Sequence, residues 1–259
     1  MACIVALGMG VASQGHANAF IPTIGRPNMT RLIDASAELK RKDLPGTELT
    51  IDYRPSVPSL LGRTEMQMLY SAVTTHLPEQ RSRVIELASA TRKEGTSTIA
   101  REMAMTVAGD LSKTVMLVRV VNDLPFSPGL EAVAHGRVPL EAVVEEDPSL
   151  PTLATATLSV GGSNAGLLFD GDELDRVFAH AARLARLVIV DAPAVLTDVS
   201  AVALSRRVSG VLLVVEAEKT RAPIVQQARR LIEMGGGRVL GAVLNKRRNN
   251  IPRWLYRRV

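Results

Sequence analysis

The chain is short of the residues that make compact reactive centres. It has one cysteine, Cys3, so no disulfide can close within the chain, and no neighbouring residue offers a metal or catalytic partner for the thiol. That usage suits a reducing compartment. Four histidines, at His16, His76, His135 and His180, are scattered singly, a pattern without metal-ligand spacing. No apolar run is long and unbroken enough to span a bilayer. The opening MACIVALGMGVASQGHANAF combines an apolar run with an Ala-Asn-Ala that resembles a cleavage site, but it lacks the positively charged start of a secretory signal. These absences lead to the expectation of a cytoplasmic protein, either soluble or peripheral at the inner face of the membrane.

What is present is a large apolar fraction and an uneven charge. At 259 residues and 46% hydrophobic content the chain can bury one sizeable α/β core. The net charge of +5 is concentrated at the end: from Lys246 onward the chain reads KRRNNIPRWLYRRV, and the rest is close to neutral. Residues 1–61 hold Pro22, Pro27, Pro45, Pro55 and Pro58 with little periodicity, and read as an extended, partly disordered leader with one short amphipathic helix over 29–42. Residues 62–248 read as the folded domain, and 249–259 as a basic aromatic tail.

Within the domain, apolar runs alternate with helical patterns. The runs at 84–88, 115–120, 187–190, 211–215 and 239–244, with a weaker one at 153–158, predict strands. Helices are predicted over 64–77, 97–108, 130–134, 172–186, 199–206 and 222–234. Continuous Val/Leu/Ile runs are those of parallel strands buried on both faces. The fold class is therefore α/β: a P-loop NTPase-like parallel sheet flanked by helices, in a single domain with an extended N-terminal leader.

The chemistry centres on VIELASATRKEGTSTIA at 84–100, which has the strand, loop and helix order of a phosphate-binding loop. In such loops backbone N–H groups cradle phosphate, a lysine neutralises charge, and a following Ser or Thr holds magnesium. Here the lysine position is Thr96 and the loop's first glycine position is Lys93. Lys93, Glu94, Gly95, Thr96, Ser97 and Thr98 are the candidate nucleotide-binding residues. Ser97 and Asp191 are the candidate magnesium ligands. Ser97 has an alternative reading as a helix cap, and Asp191 as a strand-end aspartate that caps backbone groups.

This ordered series resembles the cytoplasmic ATPase-like modules of bacterial tyrosine autokinases and polysaccharide co-polymerases, relatives of the deviant-Walker partitioning ATPases. The resemblance covers about residues 64–255. The family loop SATPGEGKST appears as SATRKEGTST, and LVIVDAPAVLTD carries the family's third motif through Asp191, Pro193 and Asp198. VSGVLLVVEAEKTR and GRVLGAVLNKRR resemble its last two strands. The family's A′ segment, IDADLR, appears as VRVVND at 118–123, with Arg119 and Val121 where the two acids belong. By resemblance Asn245 lies near the nucleotide base; its plain reading is a polar residue that ends a strand. The assembly motif ExxRxxR keeps Glu65 but has Met68 and Ser71 at the arginine positions, and the acceptor tyrosine cluster is reduced to Tyr256.

The resemblance implies ATP or ADP and Mg2+ as cofactors, held weakly or not at all, and a regulatory or scaffold role in exopolysaccharide or capsule biosynthesis and export with little or no turnover. Asp191 is the catalytic candidate if the chain is active. Implied partners are a membrane-embedded polysaccharide co-polymerase or a kinase homologue, with a homo-oligomer as a further option. Arg253, Trp254, Tyr256, Arg257 and Arg258 suit an anionic membrane surface or an acidic partner, because aromatic rings favour the headgroup layer and arginines pair with anionic lipid. The alternatives are a divergent ATPase or protein-tyrosine autokinase using Lys93, Ser97 and Asp191, and a partitioning-type protein that uses its tail on DNA. Nucleic acid is the less favoured partner.

Overall fold

A computed structural model describes residues 4–5, 63–77, 83–122, 128–161 and 165–246. The rest of the leader, its 29–42 helix, Cys3, Asp123 and the tail at 249–259 lie outside the described residues.

In chain order the elements are β1 (Ile4–Val5), α1 (Arg63–His76), β2 (Val84–Ser89), α2 (Thr96–Gly109), β3 (Val115–Val121), α3 (Leu130–Ala134), β4 (Val144–Asp147) and β5 (Leu150–Ser159). They continue with α4 (Ala165–Asp170), α5 (Glu173–Leu184), β6 (Leu187–Asp191), α6 (Val199–Ser205), β7 (Gly210–Glu216), α7 (Ala222–Met234) and β8 (Val239–Asn245). The strands form one sheet in the order β1-β8-β7-β2-β6-β3-β5-β4. Its centre is parallel, and both edge strands run antiparallel to their neighbours.

The loop-bearing strand β2 lies between β7 and β6, and its six residues are all buried. Alternate residues point to opposite faces. Ile85 and Leu87 join the core under α1 and α2, with Met66, Leu69, Ile99, Met103, Leu117 and Ile189. Val84, Val188 and Val190 meet Leu174, Val177 and Phe178 of α5 on the other face, while Ala88, Val211 and Leu213 meet Ala201 of α6 and Ala228 and Ile232 of α7. Helices thus cover both faces, as a doubly wound sheet requires. The loop, Asp191 and Asn245 all lie at the C-terminal ends of the parallel strands, the edge where sheets of this kind bind ligands.

Within 63–246 every predicted strand and helix is present, with corrections at the ends and edges. The leader is not wholly separate from the domain, because Ile4–Val5 pairs with Val243 and Ala242 at the sheet edge. The 172–186 helix is shorter, running Glu173–Leu184: Asp172 stands at its N-cap, and the Arg186 N–H already donates to the Thr114 carbonyl at 2.8 Å to start β6. The weak strand at 153–158 is longer than its apolar run, and β4 was not expected from its sequence VEED. Among the described residues no helix is long and apolar enough to cross a membrane.

Candidate functional site

The loop turns from β2 into α2 through two left-handed residues, Lys93 at φ 69° and Gly95 at φ 95°. Gly95 is the N-cap of α2, with no side chain capping the helix. Ser97 is therefore not the cap that its position allowed. The first-turn N–H groups of a helix have no intrahelical acceptor, so those of Thr96, Ser97 and Thr98 face the loop as anion donors. Lys93 keeps the left-handed backbone that a glycine would adopt without strain, at a cost of roughly 1–2 kcal/mol.

Glu94 holds the loop from within. It is 1% exposed, and its Oε1 accepts from the Thr91 N–H (3.2 Å), the Thr91 hydroxyl (2.5 Å) and the Thr220 hydroxyl (2.9 Å). The end of β8 grips the same turn from outside. Asn245 Nδ2 donates to the Glu94 carbonyl at 2.9 Å, and Lys246 Nζ to the Lys93 carbonyl at 2.6 Å. Lys246 also bonds Glu216 at 3.1 Å, and with Lys219 it holds the Glu216 carboxyl below its ordinary range. Asn245, 1% exposed, thus both ends β8 and fastens the loop.

The second cluster joins the loop to the ends of β6 and β3. Asp191 and Arg119 are register partners on adjacent parallel strands, so their side chains leave the same face, the one under α2. Ser97 and Arg101 stand one helical turn apart on α2, above that face. Burial pushes the Asp191 carboxyl above the usual aspartate range, while a hydrogen bond from the Ser97 hydroxyl and the nearby Arg101 and Arg119 guanidinium groups pull it down. The sequence-predicted pair Ser97 and Asp191 is therefore brought together, with two arginines beside it. Thr96, at the lysine position, is 8% exposed and cannot reach as a lysine would. Lys93 is exposed at the loop's tip.

Asp198 starts α6. Burial would raise its carboxyl, but hydrogen bonds from the Ser200 hydroxyl (2.6 Å), the Asn122 amide and the Ser200 N–H (2.9 Å), with Arg92 close by, hold it below the ordinary value. Among the described residues no group of three or more His, Cys, Asp or Glu could hold a metal ion. Most acids of this edge have partners: Glu216 bonds two lysines, Asp198 bonds Ser200 and Asn122, and Glu94 bonds threonines through Oε1 while its Oε2 is buried without a partner. The phosphate-binding half of the site fits a nucleotide better than the metal half fits magnesium. Sequence reading missed Arg92, Arg101, Asn122, Thr220 and Lys246. Of these, only Arg101 had a signal, its i+4 spacing from Ser97 on the loop helix.

No family profile matches the chain. A curated relative is a putative tyrosine-protein kinase CapB of Staphylococcus aureus, 27% identical over 140 residues. That match covers 54% of this chain and only 60% of CapB. Among solved structures, the kinase domain of the Escherichia coli tyrosine kinase ETK superposes with a TM-score of 0.63 at 20% identity, covering 80% of this chain and 88% of that one. The VpsO kinase domain gives 0.61 at 22% identity, covering 72% of this chain and 95% of that one. These likenesses in structure establish the fold.

Proposed function

We propose that the chain, which is similar to a tyrosine-protein kinase of the capsule type and shares the fold of bacterial tyrosine kinase domains, serves as a regulatory or scaffold module with little or no ATP turnover. By resemblance, the system it serves is exopolysaccharide or capsule polymerisation and export at the inner face of the cytoplasmic membrane. Its partner would be the cytoplasmic end of a membrane-embedded polysaccharide co-polymerase, or a kinase homologue.

The observation that carries this reading is the charge pattern around Asp191. Phosphoryl transfer on such a fold relies on positioning and on neutralising the transferring group. Here the lysine position holds a short, buried threonine, and the A′ position beside Asp191 holds Arg119 rather than an acid. Losing one preorganised charge-stabilising donor costs roughly 3–4 kcal/mol in a transition state. With several such groups missing, the rate falls by several powers of ten, although the losses do not add simply.

The test is a phosphate-release and autophosphorylation assay with ATP and magnesium on the purified chain. No turnover above a matched blank is expected. Steady product formation that disappears in Asp191→Ala would overturn the scaffold reading and support the divergent kinase. The Ser97 to Asp191 contact is what favours that second reading, since it keeps one hydroxyl and one carboxylate where a catalytic site would need them.

A further inference from the structure

Building on the reading of this edge as a nucleotide site, we propose that Arg119 stands in for the divalent ion, so that the loop binds the phosphates of a nucleoside di- or triphosphate without magnesium. Magnesium wants six oxygens in octahedral array, supplied by one or two carboxylates together with phosphate oxygens and water. The position beneath Ser97 offers one carboxylate, Asp191, whose register partner on the neighbouring strand is Arg119 and whose carboxyl lies in the field of the Arg101 and Arg119 guanidinium groups. A doubly charged cation there is repelled by two guanidinium groups, and Asp198 and Glu216 are each engaged, while Glu94, whose Oε2 has no partner, is buried at the other side of the loop against Thr91 and Thr220. The metal half of the site therefore does not fit the metal.

The same residues suit the opposite charge. Arg119 leaves β3 in register with Asp191, toward the face that carries the α2 N-terminus, and it is exposed on that edge. A guanidinium offers a planar fork of donors matched to phosphate oxygens, and it keeps its charge at every relevant pH. Uncapped first-turn N–H groups of α2 supply the remaining donors. Arg92 and Lys93, both exposed in the loop, add positive charge at its rim. Arg119, set beside Asp191 by the strand register, takes over the neutralising work of a cation.

Calorimetric titration of the full chain with ADP, and separately with inorganic pyrophosphate, tests this with and without magnesium. Binding is expected to be the same within about threefold in EDTA and in millimolar magnesium. Arg119→Ala should weaken it at least about tenfold, as expected for the loss of a hydrogen-bonded charge, and Arg119→Asp should make what binding remains depend on magnesium. Circular dichroism confirms that the variants fold. Affinity of the unaltered chain that rises tenfold or more with magnesium overturns the proposal, as does an Arg119→Ala variant that binds like the parent. Absence of any binding also overturns it. None of these failures touches the scaffold reading, which falls only to measured turnover.

Discussion

Glu86 sits at the centre of the loop-bearing strand with no exposure and no partner for either carboxyl oxygen. Its register partners are Val190 and Val211, and its face of the sheet is the one covered by α5, α6 and α7. Burial drives its carboxyl well above the usual range, which favours the protonated form. The sign follows from linkage. A carboxyl whose folded value is raised is best tolerated below its unfolded value of about 4.3, and its contribution is lost as pH climbs through the folded value. Burying an unpaired polar group costs about 1–3 kcal/mol in mutational series. Glu86→Leu is therefore expected to stabilise the domain by about that amount at neutral pH, with a gain that grows toward alkaline pH and shrinks toward pH 4. Urea melts across that range would show it, and a variant no more stable than the parent at pH 8 would mean that the carboxyl finds a partner. Asp198 has the opposite slope. Its lowered carboxyl supports α6 above about pH 4 and loses that support on acidification. Asp198→Ala should cost about 1 kcal/mol at neutral pH, the usual worth of an N-cap, and much less at pH 3.

At the scale of elements, the loop is fastened to the end of β8. A Cβ on Gly95 would lie 2.2 Å from Asn245 Nδ2, the atom that holds the Glu94 carbonyl. Gly95→Ala should therefore destabilise by more than the roughly 1–2 kcal/mol of left-handed strain alone. In an Asn245→Ala background the same change should cost only that strain. A double-mutant cycle on thermal midpoints measures the difference, and strict additivity would mean that the two elements are not coupled through this contact. Little of this fastening was legible in the sequence, although most of the sheet was. Strands such as Val211–Val215 announce themselves because burial on both faces demands apolar residues throughout. The strand β4, reading VEED, carries no such signal because it is an edge strand, where charge is tolerated and even protective. Ser97 and Asp191 were singled out by motif order, on a loop helix and a strand end of the same edge. Thr220, which closes on Glu94 across 126 residues, and Lys246, which reaches Lys93 across 153, follow only from how the strand ends converge. The arginine at 119 was visible as a missing acid, but its pairing with Asp191 needed the register of β3 on β6.

Over the whole molecule, charge is distributed as sharply as the chemistry. The last described residue, Lys246, touches the loop at the edge that carries the candidate site. Beyond it the sequence adds Arg247 and Arg248 and then, within 249–259, Arg253, Arg257 and Arg258 with Trp254 and Tyr256, while the rest of the chain is near neutral. Electrostatic attraction to an anionic leaflet is worth about 1 kcal/mol per basic residue near the surface. The three arginines of 249–259 therefore supply roughly 3 kcal/mol, about a hundredfold in partitioning, before any gain from the aromatic rings. We expect the full chain to co-sediment with phosphatidylserine-containing vesicles but not with phosphatidylcholine vesicles, to be released as salt shortens the screening length, and to lose the interaction when 249–259 is deleted. A deletion variant that binds as the parent does would move the membrane contact to the folded domain. Should the full chain prefer duplex DNA to the vesicles, with a steep salt dependence removed by the same deletion, the tail would instead serve a partitioning-type role, because counterion release from phosphates gives that slope.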